Sequence, residues 1–175
     1  TETLEAAQFP DAPAITVIQG LPKGEKIELV LQKGTELGVA EFSIFRADRS
    51  VTKLAGDKLQ GRLDRWNRIV SEAARQSERF DQPAVAWHPS AAAAAAGAAN
   101  ADLKLLLWER GVPTPLREIL EGMPRPMRIA LAIGPEGGFE PGEADAFTFW
   151  GFTPVTLGER ILRTETAALA MTAIV

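Results

Sequence analysis

The chain has 175 residues, 46% of them hydrophobic and 24% charged, with a formal net charge of −4. At this length a folded chain hides about 70% of the surface it exposes when unfolded, so wholesale disorder is excluded and one domain with a short appendage is expected. There is no cysteine and a single histidine, His88, which excludes disulfides, thiolate nucleophiles, cysteine-bound metals and multi-histidine centres, so no metal site is expected.

No run approaches the roughly 18 apolar residues that announce a membrane-crossing helix, and the opening TETLE lacks the basic and apolar regions of a signal peptide. The expectation is a soluble, cytoplasmic protein with no membrane partner. The sequence starts without Met and stops at Val175 in mid-pattern, as a piece of a longer protein would. Residues 1–13 hold Pro10 and Pro13 without a sustained period and read as a linker. The β-branched run 14–20 (AITVIQG), closed by Gly20 and Pro22, reads as a strand, and 41–47 (EFSIFRA) as a second. Between them Ile27, Val30, Leu31, Thr35 and Leu37 recur at helical spacing up to Gly38, a candidate C-cap.

The spacing predicts a long helix over 58–80. Leu59, Leu63, Trp66, Val70, Ala73, Ser77 and Phe80 fall within one arc of about 100°, and Arg65, Arg68, Glu72, Arg75 and Arg79 fall opposite. A strand over 83–88, an alanine tract over 91–99 that favours helix, and a strand over 103–109 follow. A short helix over 115–121, a buried-type strand over 128–133 (RIALAI), a helix over 141–150, a strand over 154–157 and a helix from Thr164 complete the series. Strands alternating with helices, several of them continuous apolar runs, indicate an α/β fold with a mostly parallel sheet and helices on both faces.

Ligands of such sheets bind outside the carboxyl ends of strands, and two loops there carry candidate chemistry. After RIALAI comes Gly134-Pro135-Glu136-Gly137-Gly138-Phe139, whose glycines let backbone approach a ligand and aim N–H groups at it. A tight strand-to-helix turn explains the same residues, and the loop lacks the Lys and Ser/Thr of a phosphate-binding P-loop. The second loop is LGERILRTETA over 157–167. A capped helix start explains Thr164, Thr166 and Glu165, but leaves Arg160 and Arg163 without a packing role.

Charge is also segregated. Residues 46–79 carry nine Lys/Arg against five Asp/Glu, a net of +4 that leaves −8 elsewhere. A solvated helix face accounts for such a run, and so do phosphate contacts. His88 reads as structural, and Trp66, Trp87, Trp108 and Trp150 read as core or interface residues.

In chain order, ELGV (36–39), DRSV (48–51), RWNRIVSEAARQSER (65–79), IGPEGGF (133–139) and LGERILRTETA (157–167) resemble the RsmE family. These are SPOUT-class methyltransferases acting on N3 of a uridine in 16S ribosomal RNA. The resemblance covers residues 14–175 as a SPOUT domain. It implies a missing N-terminal PUA-like barrel of which 1–13 are the linker remnant, a C-terminal trefoil knot, and a homodimer. It also implies S-adenosyl-L-methionine as cofactor and 16S rRNA or the small ribosomal subunit as partner. Adenine and ribose would then be surrounded by Leu107, Ile133, Gly134, Gly138, Leu157, Gly158, Ile161 and Leu162, with Pro135, Glu136, Gly137 and Arg160 in the same cofactor-binding set. Uridine N3 must lose a proton to become nucleophilic. Arg163 is therefore the candidate to stabilise the uracil anion, and Glu165 the candidate base or holder of that arginine, with Glu136 as alternative. Lys33, Arg46, Arg49, Arg65, Arg68, Arg75 and Arg79 are the candidate RNA contacts. Another SPOUT RNA methyltransferase, a non-catalytic RNA-binding module and a nucleotide-binding enzyme are the competing readings.

Overall fold

Apolar runs bounded by Gly and Pro alternate with amphipathic stretches, and a computed structural model shows what they become over residues 12–50, 54–108, 110, 112–121 and 124–175. In chain order the elements are β1 (Ala14–Gly20), α1 (Lys26–Glu36), β2 (Glu41–Phe45), α2 (Gly56–Gln76), β3 (Ala84–His88), α3 (Ala91–Gly97) and β4 (Leu103–Leu107). They continue with β5 (Thr114–Pro115), α4 (Leu116–Glu121), β6 (Arg128–Ile133), α5 (Pro141–Phe149), β7 (Thr153–Thr156) and α6 (Thr164–Ile174). The strands form one sheet in the order β3-β2-β1-β6-β4-β7-β5, with every pairing parallel. That is the α/β architecture the patterning predicts. No helix among the described residues is long and apolar enough to cross a membrane.

Burial on both faces explains the continuous apolar strands. In β6, Ile129, Leu131 and Ile133 face a core shared with Ile27 and Leu31 of α1, Trp66 and Val70 of α2, and Met171 of α6. Ala130 and Ala132 face the other way, toward α3 and α5, where their small size leaves room for Phe45, Phe139, Phe147 and Phe152. Phe147 meets Phe139 and Phe152 edge to face, with centroids 5.4 Å and 5.0 Å apart, while Phe45 stacks on Phe139 at 6.2 Å. The alanine tract folds as helix α3, capped by the Ser90 hydroxyl, which accepts from Ala93 N at 3.2 Å.

Three local expectations need correcting. Helix α2 stops at Gln76, because Ser77 donates its hydroxyl back to Ala73 O at 2.7 Å and Glu78 takes a left-handed conformation with φ 55°. Phe80 therefore leaves the helical period and is 82% exposed rather than buried. The pair Thr114–Pro115 forms a short edge strand where helix was expected to begin at Pro115. The expected strands over 41–47 and 154–157 lose residues at their ends, which leaves Ala47 and Leu157 in loops. Of the expected linker, residues 1–11 lie outside the described residues, as does Glu109 at the end of the predicted strand 103–109.

The order of strands positions the site. The chain steps outward from β1 through β2 to β3, then returns to build β4 on the far side, with β6 inserted between β1 and β4. This reversal is the topological switch point at which open parallel sheets bind ligands. The carboxyl ends of β1, β6 and β4 all open there.

Candidate functional site

The turn after β6 is shaped by what a side chain would strike. A Cβ on Gly134 would lie 3.1 Å from Gly138 C and from Phe139 N, and Gly138 itself has φ +70°. A side chain would be crowded at Gly134 and strained at Gly138, and Gly138 N closes the turn on Pro135 O at 2.8 Å. The turn is fastened on both flanks. Gly134 O accepts from Thr164 Oγ1 at 2.6 Å and from Gln19 Nε2 at 3.1 Å. Gly137 O accepts from Arg49 Nη1, while Arg49 Nε pairs with Glu140. The Glu140 hydrogen bond raises the Arg49 pKa and lowers that of Glu140, so both stay charged.

Glu136 joins the turn to the start of α1. Its carboxylate accepts from Lys26 Nζ at 2.8 Å and from Lys23 N at 3.0 Å. Burial opposes its ionisation, but the Lys26 and backbone hydrogen bonds outweigh this and hold the group below the usual carboxylate range.

A cleft of about 730 Å³ opens over this turn. Of the predicted cofactor residues, Leu107, Ile133, Gly134, Pro135, Glu136, Gly137, Gly138, Ile161 and Leu162 line it, and so does Arg163. Leu157 and Gly158 instead line a separate apolar groove of about 590 Å³ with Leu116, Leu120 and Ile174. Arg160 is exposed and lines neither space, and Glu165 is absent from the cleft wall. One oxygen of Glu165, Oε2, is shut from solvent with no hydrogen-bond partner among the described residues. Thr164 is not a cap: the N-cap is Arg163, and the threonine hydroxyl reaches across to Gly134 instead.

Lys26, Trp108, Arg110 and Thr164 also line the cleft, and sequence reasoning missed all four. Trp108 follows β4 at its carboxyl end, so the strand-end rule would have found it. No signal in the sequence pointed to Gln19, which besides its neighbour Gly20 O bonds groups 114 to 145 positions away.

The predicted RNA contacts separate into groups. Arg46, Arg68 and Arg75 are exposed. Lys33 pairs with Glu36 at 2.9 Å, and Arg65 with Glu28 at 2.7 Å. The Glu28 hydrogen bond raises the Arg65 pKa. Arg49 belongs to the cleft wall. Arg79 is mostly covered: its side chain is 15% exposed, and it donates to Thr35 O at 2.8 Å and Val39 O at 2.9 Å while pairing with Asp81. It is a strut between the end of α2 and the turn after α1. His88, read as structural, lies 3.2 Å from Ser43 Oγ, with its pKa pushed down by burial against the opposing pull of Glu41.

Comparison with known proteins agrees with this geometry. The RNA methyltransferase domain family matches residues 10–175. Ribosomal RNA small subunit methyltransferase E of Bacillus subtilis is 37% identical over 159 residues, covering 89% of this chain and 62% of its own length. The same-named protein of Mesomycoplasma hyopneumoniae is 33% identical, covering 96% and 72%. A crystal structure of ribosomal RNA small subunit methyltransferase E from Neisseria gonorrhoeae bound to S-adenosyl methionine superposes with a TM-score of 0.74 at 32% identity, covering 93% and 65%. The chain thus spans less than two thirds of the Bacillus protein.

Proposed function

The chain belongs to the RNA methyltransferase domain family, among the ribosomal RNA small subunit methyltransferases E, and we propose that it transfers a methyl group from S-adenosylmethionine to N3 of a uridine in 16S ribosomal RNA. One observation carries the reading. The glycine turn after β6, the end of β4 and the arginine-bearing segment before α6 converge on a single cleft at the switch point of the sheet. Its volume falls within the range of about 300–1,000 Å³ typical of small-molecule sites. Leu107, Ile133 and Leu162 offer apolar contact, and the glycines offer close backbone approach, so the residues fit the cofactor.

When bound, S-adenosylmethionine supplies a methyl group already activated on a sulfonium. The chain must then align the uracil ring, exclude water and manage the proton on N3. Arg163, exposed at the cleft wall, stabilises negative charge developing on the uracil oxygens. Glu136 is a poor base, because Lys26 and Lys23 hold its pKa low. Glu165, outside the cleft wall and with one buried oxygen unpartnered among the described residues, is the candidate for holding Arg163, and would have to turn into the cleft to remove the proton. Lys26, Arg49 and Arg110 at the same cleft supply positive charge for the phosphate backbone, extended by the exposed Arg46, Arg68 and Arg75.

We place the trefoil knot between β4 and α6, where β6 and β7 are inserted out of chain order and α6 returns to pack on α1, β6 and β1. A second copy of the chain covers Ile161, 85% exposed, and Ile174, 54% exposed. The site of action is the cytoplasm. Isothermal titration of the chain with S-adenosylmethionine tests the central reading, and absence of binding heat would favour a pure RNA-binding module. Mapping the methylated nucleotide on 16S rRNA or the small subunit tests the substrate, and sedimentation tests the dimer. Charge reversal at Arg68 and Arg75 is expected to flatten the salt dependence of RNA binding; an unchanged slope would return α2 to a solvated face.

A further inference from the structure

We propose that Gln19 and Thr164 are positioning residues: a buried crossbar that fixes the Gly134 carbonyl and the start of α6 relative to each other, and so places Arg163 in the cleft. The inference rests on the cleft being the cofactor site. Gln19 is 1% exposed at the carboxyl end of β1, beside the apolar Val17 and Ile18. A buried amide in a central strand is costly unless its polar atoms find partners. Its Nε2 lies 2.9 Å from Gly20 O, 3.1 Å from Gly134 O and 2.9 Å from Thr164 Oγ1. Acceptors on that side fix the amide orientation, because the opposite rotamer would set an oxygen against two carbonyls.

The hydroxyl of Thr164 donates to Gly134 O at 2.6 Å, so it accepts from Gln19. Gly134 O therefore receives the Thr164 hydroxyl and, at 3.1 Å, a share of a Gln19 N–H that is divided among several acceptors. A carbonyl at the lip of the cleft is thus held by the protein itself rather than left for a ligand to order. Thr164 follows Arg163 directly, and pinning its side chain to β6 sets where the preceding guanidinium enters the cleft.

The other end of the amide argues that stability is not the reason for Gln19. Its Oε1 is buried with no hydrogen-bond partner among the described residues. Leaving such a group unpaired costs about 1–3 kcal/mol, which an apolar residue of similar size would avoid. A strand otherwise chosen for apolar burial keeps an amide whose N–H groups are shared among Gly20 O, Gly134 O and Thr164 Oγ1.

The test uses the whole chain with Gln19→Leu, Thr164→Val and the conservative Thr164→Ser. Thr172→Val is the control, removing another buried hydroxyl from the same helix, one that among the described residues bonds Ala168 O within that helix. The readouts are the Kd for S-adenosylmethionine by calorimetry, amide hydrogen exchange over 134–138, and Tm. Gln19→Leu and Thr164→Val are expected to weaken cofactor binding about tenfold and to speed exchange in the turn. Thr164→Ser should stay within about threefold of the parent chain, and Thr172→Val should lower Tm with binding unchanged. Wild-type affinity and wild-type exchange in both Gln19→Leu and Thr164→Val would overturn the proposal, as would an equal loss of binding in Thr172→Val. If the parent chain itself gives no binding heat, the cofactor reading fails; loop exchange then decides the crossbar, faster exchange supporting it and unchanged exchange overturning it.

Discussion

The turn 134–138 and the segment 157–163 meet over the same strand ends, yet they are held in different ways. The turn is tied at Gly134 O by Gln19 and Thr164, at Gly137 O by Arg49, and at Glu136 by Lys26 and Lys23. Within the segment, the side-chain bonds among the described residues reduce to Thr156 Oγ1 with the backbone of Gly158. Arg160 and Arg163 make no ion pair there, and Ile161 is 85% exposed between them. The contrast separates a preorganised cradle from a surface that gains its partners from RNA, cofactor or a second subunit. Preorganised backbone contributes to binding because little ordering remains to be done when the ligand arrives.

The largest expected effect lies on the open side. Arg163→Ala should reduce methyl transfer on the order of 10²–10³-fold if it stabilises the uracil anion, with Tm unchanged because the guanidinium is exposed. A fall in Tm accompanying the lost turnover would mean that the segment is held more tightly than its bonds indicate. On the closed side, Gly134→Val forces a side chain into the backbone of Gly138 and Phe139. Overpacking of about 1–3 kcal/mol predicts roughly a 10- to 100-fold weaker Kd for S-adenosylmethionine, together with a lower Tm. Wild-type affinity in that variant would break the idea of a rigid cradle.

Arg49→Met should weaken cofactor binding by only a few fold, since it removes one of several ties and its ion pair with Glu140 is partly exposed. Cofactor calorimetry separates this from the Gly134 effect. A control lies outside both loops. Burial lowers the folded-state pKa of His88, so its contribution is complete above the ordinary value of about 6.5 and is lost as pH falls from there toward the folded value. Denaturant melts of the parent chain and His88→Gln across that window should show the pH slope reduced in the variant. The smallest effect is expected at Arg160→Ala, within about 0.5 kcal/mol of the parent in denaturant melts. A larger loss would erase the difference between the two loops.

Legibility followed the range over which each feature is encoded. The strand 128–133 and the start of α6 at Thr164 were readable because apolar runs, glycine turns and helical spacing are written within one element. The glycine turn and Arg163 were readable as site candidates because strand ends in parallel sheets are where ligands bind. Phe80 was misplaced because helical period was extended past a left-handed turn at Glu78 that periodicity does not encode. Arg79 was misread because charge pattern does not reveal that two carbonyls of a neighbouring turn await its guanidinium.

The sequence alone determined the alternation of strands and helices, the glycine turn and the position of the arginines beside it. Only the tertiary structure decided that β6 lies between β1 and β4, that Leu157 and Gly158 face a different groove from Ile161 and Leu162, and that Gln19 and Thr164, 145 positions apart, share one carbonyl. The physical reason is range: backbone propensity and hydrophobic period act over a few turns of chain. Hydrogen bonds across crossovers exist only after packing has set which strand ends are neighbours.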